Sequence, residues 1–214
     1  MYSHKAFTVS EVLLTLAIIG VIAALTLPSL LKSYEKNTWT TGYKAGINII
    51  SQITKTIMSE NNNTLVGKWG AGGDDQSVYD LYSPYFKTVR TCENINPKGS
   101  CFNSVYTLMD NAINAAVNGV YSVILTNGMS LSFYNPVGPV DYILIYLDIN
   151  GAKSPNVLGK DLHIIKVSIN SDPVKPYLVD VAENAILIGC PSDLMSAGTT
   201  CGVRIMRNDY GEDY

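Results

Sequence analysis

The chain has 214 residues, enough for one sizeable domain or two small ones, with 47% hydrophobic and only 15% charged residues. That composition excludes a disordered chain. A net charge of -3, with no run of either sign, provides no basic stripe to neutralise phosphates, so nothing points to nucleic acid as a partner.

Met1 to Ala6 is a short polar leader, and Lys5 precedes a long apolar stretch. Val12 to Leu31 is a run of twenty residues without a charge, closed by Lys32. At about 1.5 Å per residue a helix of that length spans roughly 30 Å, the thickness of a bilayer core. A secretory signal peptide has a shorter apolar core and a more basic start. A plain single-pass anchor accounts for the length but not for Glu11, because a carboxylate at the end of an apolar helix is costly unless it has a partner or a task.

The residues Lys5-Ala-Phe-Thr-Val-Ser-Glu-Val-Leu-Leu-Thr-Leu16 resemble the prepilin-type cleavage and methylation motif of type IV pilins and type II secretion pseudopilins. The resemblance is specific over about the first sixty residues and loose beyond them. It implies cleavage between Ala6 and Phe7 by a prepilin peptidase on the cytoplasmic side, followed by N-methylation of Phe7. The residue before the cut is usually Gly in that family and is Ala6 here. Counted from Phe7, Glu11 falls on the family's acidic fifth position, Gly20 on its frequent Gly, and Pro28 on its frequent helix-breaking Pro. The resemblance implies that Glu11 neutralises the freed amine of a neighbouring subunit in a helical core. There an unpaired charge is expensive and a paired one much less so. Pro28 removes a helical hydrogen bond, which kinks or locally melts the helix on its way from bilayer to filament.

Beyond the apolar run, Trp39, Tyr43, Ile47, Ile50, Ile53 and Ile57 recur at three- and four-residue steps. Lys44, Asn48, Ser51, Gln52 and Lys55 fall on other faces, so this half is amphipathic and expects a globular partner. Asn61-Asn-Asn63 ends the pattern. One long helix is expected from about Phe7 to about Ser59. From Thr64 to Gly119 the signals are mixed: Gly70-Ala-Gly-Gly73 with Asp74-Asp75 reads as a loop, Val78 to Phe86 as a short helix or turn, and Ser104 to Val117 as a second short helix.

Strand signals follow. Tyr121–Thr126 and Met129–Tyr134 flank Asn127-Gly128, a strong hairpin signal because both residues accept positive φ. Tyr142–Leu147 reads as an apolar central strand, Leu162–Ile169 as a fourth strand, and Tyr177–Val181 as a short edge strand. Short turns between neighbours favour antiparallel pairing. The expected fold is α+β: a long N-terminal helix, its first half transmembrane, packed through its second half on an antiparallel sheet of about four strands. The expected segments are a leader (1–6), a transmembrane and filament-core helix (7–31), an amphipathic continuation (32–60) and a globular head (61–214).

Cys92, Cys101, Cys190 and Cys201 form two close pairs without a zinc-type knuckle, so disulfides and an oxidising compartment are expected. Of three possible connectivities, the local pairs Cys92–Cys101 and Cys190–Cys201 each close a short, turn-rich loop. The segment Asp148 to Asp161 is rich in turn residues. Asp148, Asn150, Asn156 and Asp161 offer oxygens to calcium, although self-capping Asx turns account for the same residues. No other cofactor is indicated. No nucleophile–base set stands out, and His163 alternates within a strand pattern, so no enzymatic activity is expected.

The expected function is structural: a subunit of a pilus, a secretion pseudopilus or a DNA-uptake filament. Its partners would be other pilin-like subunits, the prepilin peptidase, an inner-membrane assembly platform and membrane lipid. It would sit in the cytoplasmic membrane with its head outside, then in a filament in the periplasm or at the cell surface. The rival reading is a single-pass anchored binding protein, an adhesin or sensor head, which would keep its leader.

Overall fold

The computed structural model describes residues 8–108, 117–169, 173–177 and 199–207. The chain divides into two compact units, 1–38 and 39–214. Helix α1 (Val9–Glu60) runs through the boundary.

Within the first unit α1 is apolar nearly all round as far as Leu31, and the large apolar side chains there are exposed, Leu13, Leu16, Ile19, Val21 and Leu25 among them. This helix is long and apolar enough to cross a membrane by length and composition. Pro28 lies inside it, and the helix continues through that position. The local hydroxyls fold back on the backbone: Thr26 Oγ1 donates to the Ile22 carbonyl at 3.0 Å and Ser29 Oγ to the Thr26 carbonyl at 2.9 Å.

The second unit contains the rest of α1, α2 (Asp75–Tyr82), a 3-10 turn (Ser83–Tyr85), six strands and α3 (Cys201–Arg207). The strands are β1 (Thr88–Cys92), β2 (Tyr121–Leu125), β3 (Ser130–Tyr134), β4 (Tyr142–Asp148), β5 (Leu162–Ser168) and β6 (Val174–Pro176). They form one antiparallel sheet in sequence order. The four expected strands are the four inner ones, and an edge strand is added on each side. β1 carries no alternating apolar pattern: its first four residues are exposed, and its register shifts between Thr88 and Arg90. β6 is three residues long and ends on Pro176, which an edge strand tolerates because one side needs no N–H. The edge therefore lies before the expected Tyr177–Val181. Tyr177 itself is in a turn, and 178–181 lie outside the described residues.

The period-2 alternation sends Leu131, Phe133, Ile143, Ile145, Leu147, Ile165 and Val167 to one face. There they pack with Tyr43, Ile47, Ile50 and Ile57 of α1 and with Val78 and Tyr82 of α2. Two glycines let the helix approach: a Cβ on Gly46 would lie 2.3 Å from Leu147 Cδ2, and one on Gly42 2.9 Å from Ile149 Cδ1. Thr54, fully buried on this face, bonds Tyr82 Oη at 2.8 Å.

The opposite face is also covered. Leu144, Tyr146 and Leu162 pack there with Cys92, Cys101, Phe102, Tyr106, Val117 and Leu158. Small serines admit the covering backbone: Ser130 Oγ donates to the Cys101 carbonyl at 2.7 Å and Ser132 Oγ to the Asn118 carbonyl at 2.8 Å. Residues 104–108 of this cover are not helical, contrary to the expected short helix; Thr107 instead bridges to Val157. The remainder of that segment, 109–116, lies outside the described residues.

The hairpin falls where Asn127-Gly128 predicts it, but its turn differs. Only Gly128 has positive φ, at 88°. The Gly128 N–H donates to the Leu125 carbonyl at 2.9 Å, and Asn127 Oδ1 accepts from the Met129 N–H at 3.1 Å. This is the three-residue form, a turn followed by one left-handed glycine, in which Asn serves through its side chain.

Candidate functional site

Two places gather the residues to which the sequence points. The first is the start of α1. Thr8 stands immediately before the helix, and Glu11 lies in its first turn. Glu11 Oε2 accepts from the Thr8 N–H and from Thr8 Oγ1, both at 2.8 Å, while the Glu11 N–H donates to Thr8 Oγ1 at 3.3 Å. This is a reciprocal capping box, readable in the sequence as Thr-x-x-Glu but masked by the stronger motif around it. Ala6 and Phe7 lie outside the described residues. At Gly20 an added Cβ would meet nothing within 4 Å, so no packing in the isolated chain requires that glycine.

The second place is the β4–β5 connection in the head. Asp148 ends β4 and Asp161 precedes β5, and both are fully buried. Asp148 Oδ1 accepts from the Asn150 N–H at 3.1 Å, and its Oδ2 accepts from the Tyr106 hydroxyl. Asp161 accepts from the Asn156 N–H at 2.7 Å and the Val157 N–H at 2.6 Å. Asn156 takes the left-handed conformation, with φ of 57°. A Cβ on Gly151, whose φ is 68°, would lie 2.8 Å from the Gly128 carbonyl oxygen, so the connection rests against the β2–β3 turn.

Burial raises the Asp148 carboxyl to about 8, with the nearby Asp161 charge adding to the rise against the Tyr106 and Asn150 bonds. Burial also raises Asp161, opposed by its backbone N–H partners, and raises the Tyr106 hydroxyl, beside Asp148. His163 faces the other way, against α1. Its ring lies 4.3 Å from that of Tyr43, its Nε2 donates to the Lys160 carbonyl at 2.8 Å, and burial lowers it to about 4.

The calcium-type residues Asp148, Asn150, Asn156 and Asp161 do share one connection, but their carboxylates take donors from its own backbone and from Tyr106. The Oδ1 atoms of Asn150 and Asn156 are buried without a hydrogen-bond partner. Among the described residues, no three His, Cys, Asp or Glu side chains are grouped to hold a metal. Tyr106 was not legible from the sequence, since it comes from the Cys101–Leu108 cover far along the chain.

Cys92 and Cys101 are disulfide-bonded, with Cα atoms 6.1 Å apart. Cys201 is disulfide-bonded too, and its expected partner Cys190 lies outside the described residues. No protein-family model, curated protein or solved structure matches this chain.

Proposed function

We propose that the chain is a type IV pilin-like subunit, cleaved and methylated at its N-terminus and assembled through α1 into an extracytoplasmic filament. The observation that carries this reading is the exposed first half of α1, apolar along its whole length and bearing Glu11 as its acidic group. A surface of that kind requires a bilayer, a bundle of like helices, or both in succession. Membrane and filament core supply these in turn, and Phe7, Glu11, Gly20 and Pro28 then each have a task. The Cys92–Cys101 disulfide agrees with a head outside the cytoplasm.

Glu11 has two roles in this account. In the single chain it caps its own helix through Thr8. In the filament it exchanges that bond for the amine of a neighbour's Phe7, so the cap keeps the carboxylate satisfied until assembly. The Asp148–Asp161 connection is structural, tying the end of β4 to the start of β5.

Intact-mass measurement of protein from the cells that make it tests the reading. Loss of Met1 to Ala6 with one added methyl group is expected. A chain that keeps its leader is instead the anchored binding protein. Replacing Ala6 by Gly should leave processing intact, and a bulky residue there should block it in a peptidase assay.

A further inference from the structure

The turn that ends α1 has a property the filament reading leaves unused. It carries the chain's single Asn-x-Ser/Thr triplet with a middle residue other than Pro, Asn62-Asn63-Thr64. This is the acceptor pattern for N-linked glycosylation of exported proteins, and it is competent only where the asparagine is presented on a surface loop.

The three successive asparagines are used differently. The Asn61 carboxamide donates to the Ile57 carbonyl at 2.7 Å and so satisfies one of the open carbonyls at the helix end. Asn62 and Asn63 follow in the left-handed region, with φ of 57° and 58°, which asparagine adopts more readily than most residues. The Asn63 N–H returns to the Met58 carbonyl at 2.8 Å and the Thr64 N–H to the Asn61 carbonyl at 3.2 Å. Leu65, fully buried, anchors the turn from behind. Asn62 is thereby held at the exposed tip, and its carboxamide makes no hydrogen bond to any described residue. Thr64, two residues on, accepts from the Val66 N–H at 3.1 Å, which leaves its hydroxyl proton available to a transferase.

The geometry points to Asn62 as an N-glycosylation site that takes a saccharide from a polyprenyl-diphosphate donor on the extracytoplasmic side of the membrane. In the transfer, Asn62 Nδ2 forms a bond to the anomeric carbon of the sugar. The bond from that carbon to the diphosphate oxygen breaks, and the lipid diphosphate departs with the electron pair. The amide gives up one proton, and nothing is oxidised or reduced. The inference rests on the filament reading for the placement of the head outside the cytoplasm.

The test uses full-length protein extracted in detergent from the cells that make it, digested with trypsin and mapped by mass spectrometry. The peptide Thr56–Lys68 is expected to carry a mass increment of whole sugar residues. Asn62→Gln and Thr64→Ala should each remove the increment, and Asn61→Gln should retain it. A bare Asn62 in the wild-type peptide overturns the inference, as does an increment that survives Asn62→Gln. The same digest reports the N-terminus, so the two readings fail separately. A processed, methylated Phe7 with a bare Asn62 rejects only the modification. A sugar-bearing Asn62 on a chain that keeps its leader rejects only the filament.

Discussion

Asp148 and His163 lie on opposite faces of the sheet and respond to pH in opposite senses. The Asp148 carboxyl is raised in the fold to about 8, so the folded state holds a proton there that the unfolded state has released above its ordinary value near 4. Its contribution is complete at low pH and is lost as pH rises through about 8. His163 is lowered to about 4, so the unfolded state binds the extra proton between there and its ordinary value near 6.5, and stability rises with pH over that window. The two oppose each other below about 6.5. Above it the aspartate dominates, and the melting temperature of detergent-solubilised protein should fall between pH 6.5 and 8. Asp148→Asn, which keeps the shape without the charge, should flatten that slope; an unchanged slope would reject the assignment. Removing the Cys92–Cys101 bond with a double Ser substitution should cost about 3 kcal/mol in chemical denaturation, the chain-entropy value for so short a loop.

At the scale of elements, α1 shows how far periodicity carries. Of the stripe Trp39, Tyr43, Ile47, Ile50, Ile53 and Ile57 predicted from its three- and four-residue spacing, Tyr43, Ile47, Ile50 and Ile57 are buried, while Trp39 and Ile53 are half-buried at its margin. Gly46 and Thr54 share that face, and no apolar pattern could have flagged them. Gly46 is there because Leu147 occupies the space its side chain would need, and Thr54 because Tyr82 needs a partner for its hydroxyl. Gly46→Ala should therefore destabilise the head by about 1–3 kcal/mol through overpacking, although alanine is the better helix former by about 1 kcal/mol. Thr54→Val, nearly isosteric, should cost about 1–3 kcal/mol by leaving the Tyr82 hydroxyl buried and unpaired. Denaturant titration measures both. The edge strands escaped sequence reading for a related reason. β1 and β6 are strands because β2 and β5 offer them hydrogen-bond ladders, and neither has the hydrophobic alternation of a half-buried strand.

For the whole molecule, the two ends of α1 make separable demands. Gly20→Leu falls where the isolated chain leaves open space, so head stability should not change. Filament yield should drop if Gly20 admits a neighbouring helix. Glu11→Ala should insert normally and lose filament incorporation, while also giving up the reciprocal hydrogen bonds to Thr8 that cap the helix. Normal filament yield from Glu11→Ala would remove the assembly role. What the amino-acid sequence determined alone was what repeats or lies close along the chain: the apolar span, the amphipathic stripe, the four inner strands, the hairpin position and the Cys92–Cys101 loop. Those follow from local geometry and burial period, which a linear pattern records. Only the tertiary structure decided the rest. It recruited the edge strands, covered the second sheet face with Phe102 and Tyr106, and brought the Tyr106 hydroxyl onto Asp148. Apart from the short β5–β6 pairing, those contacts join residues tens of positions apart, and their partners are chosen by packing and by the need of buried polar groups for hydrogen bonds, which no local pattern encodes.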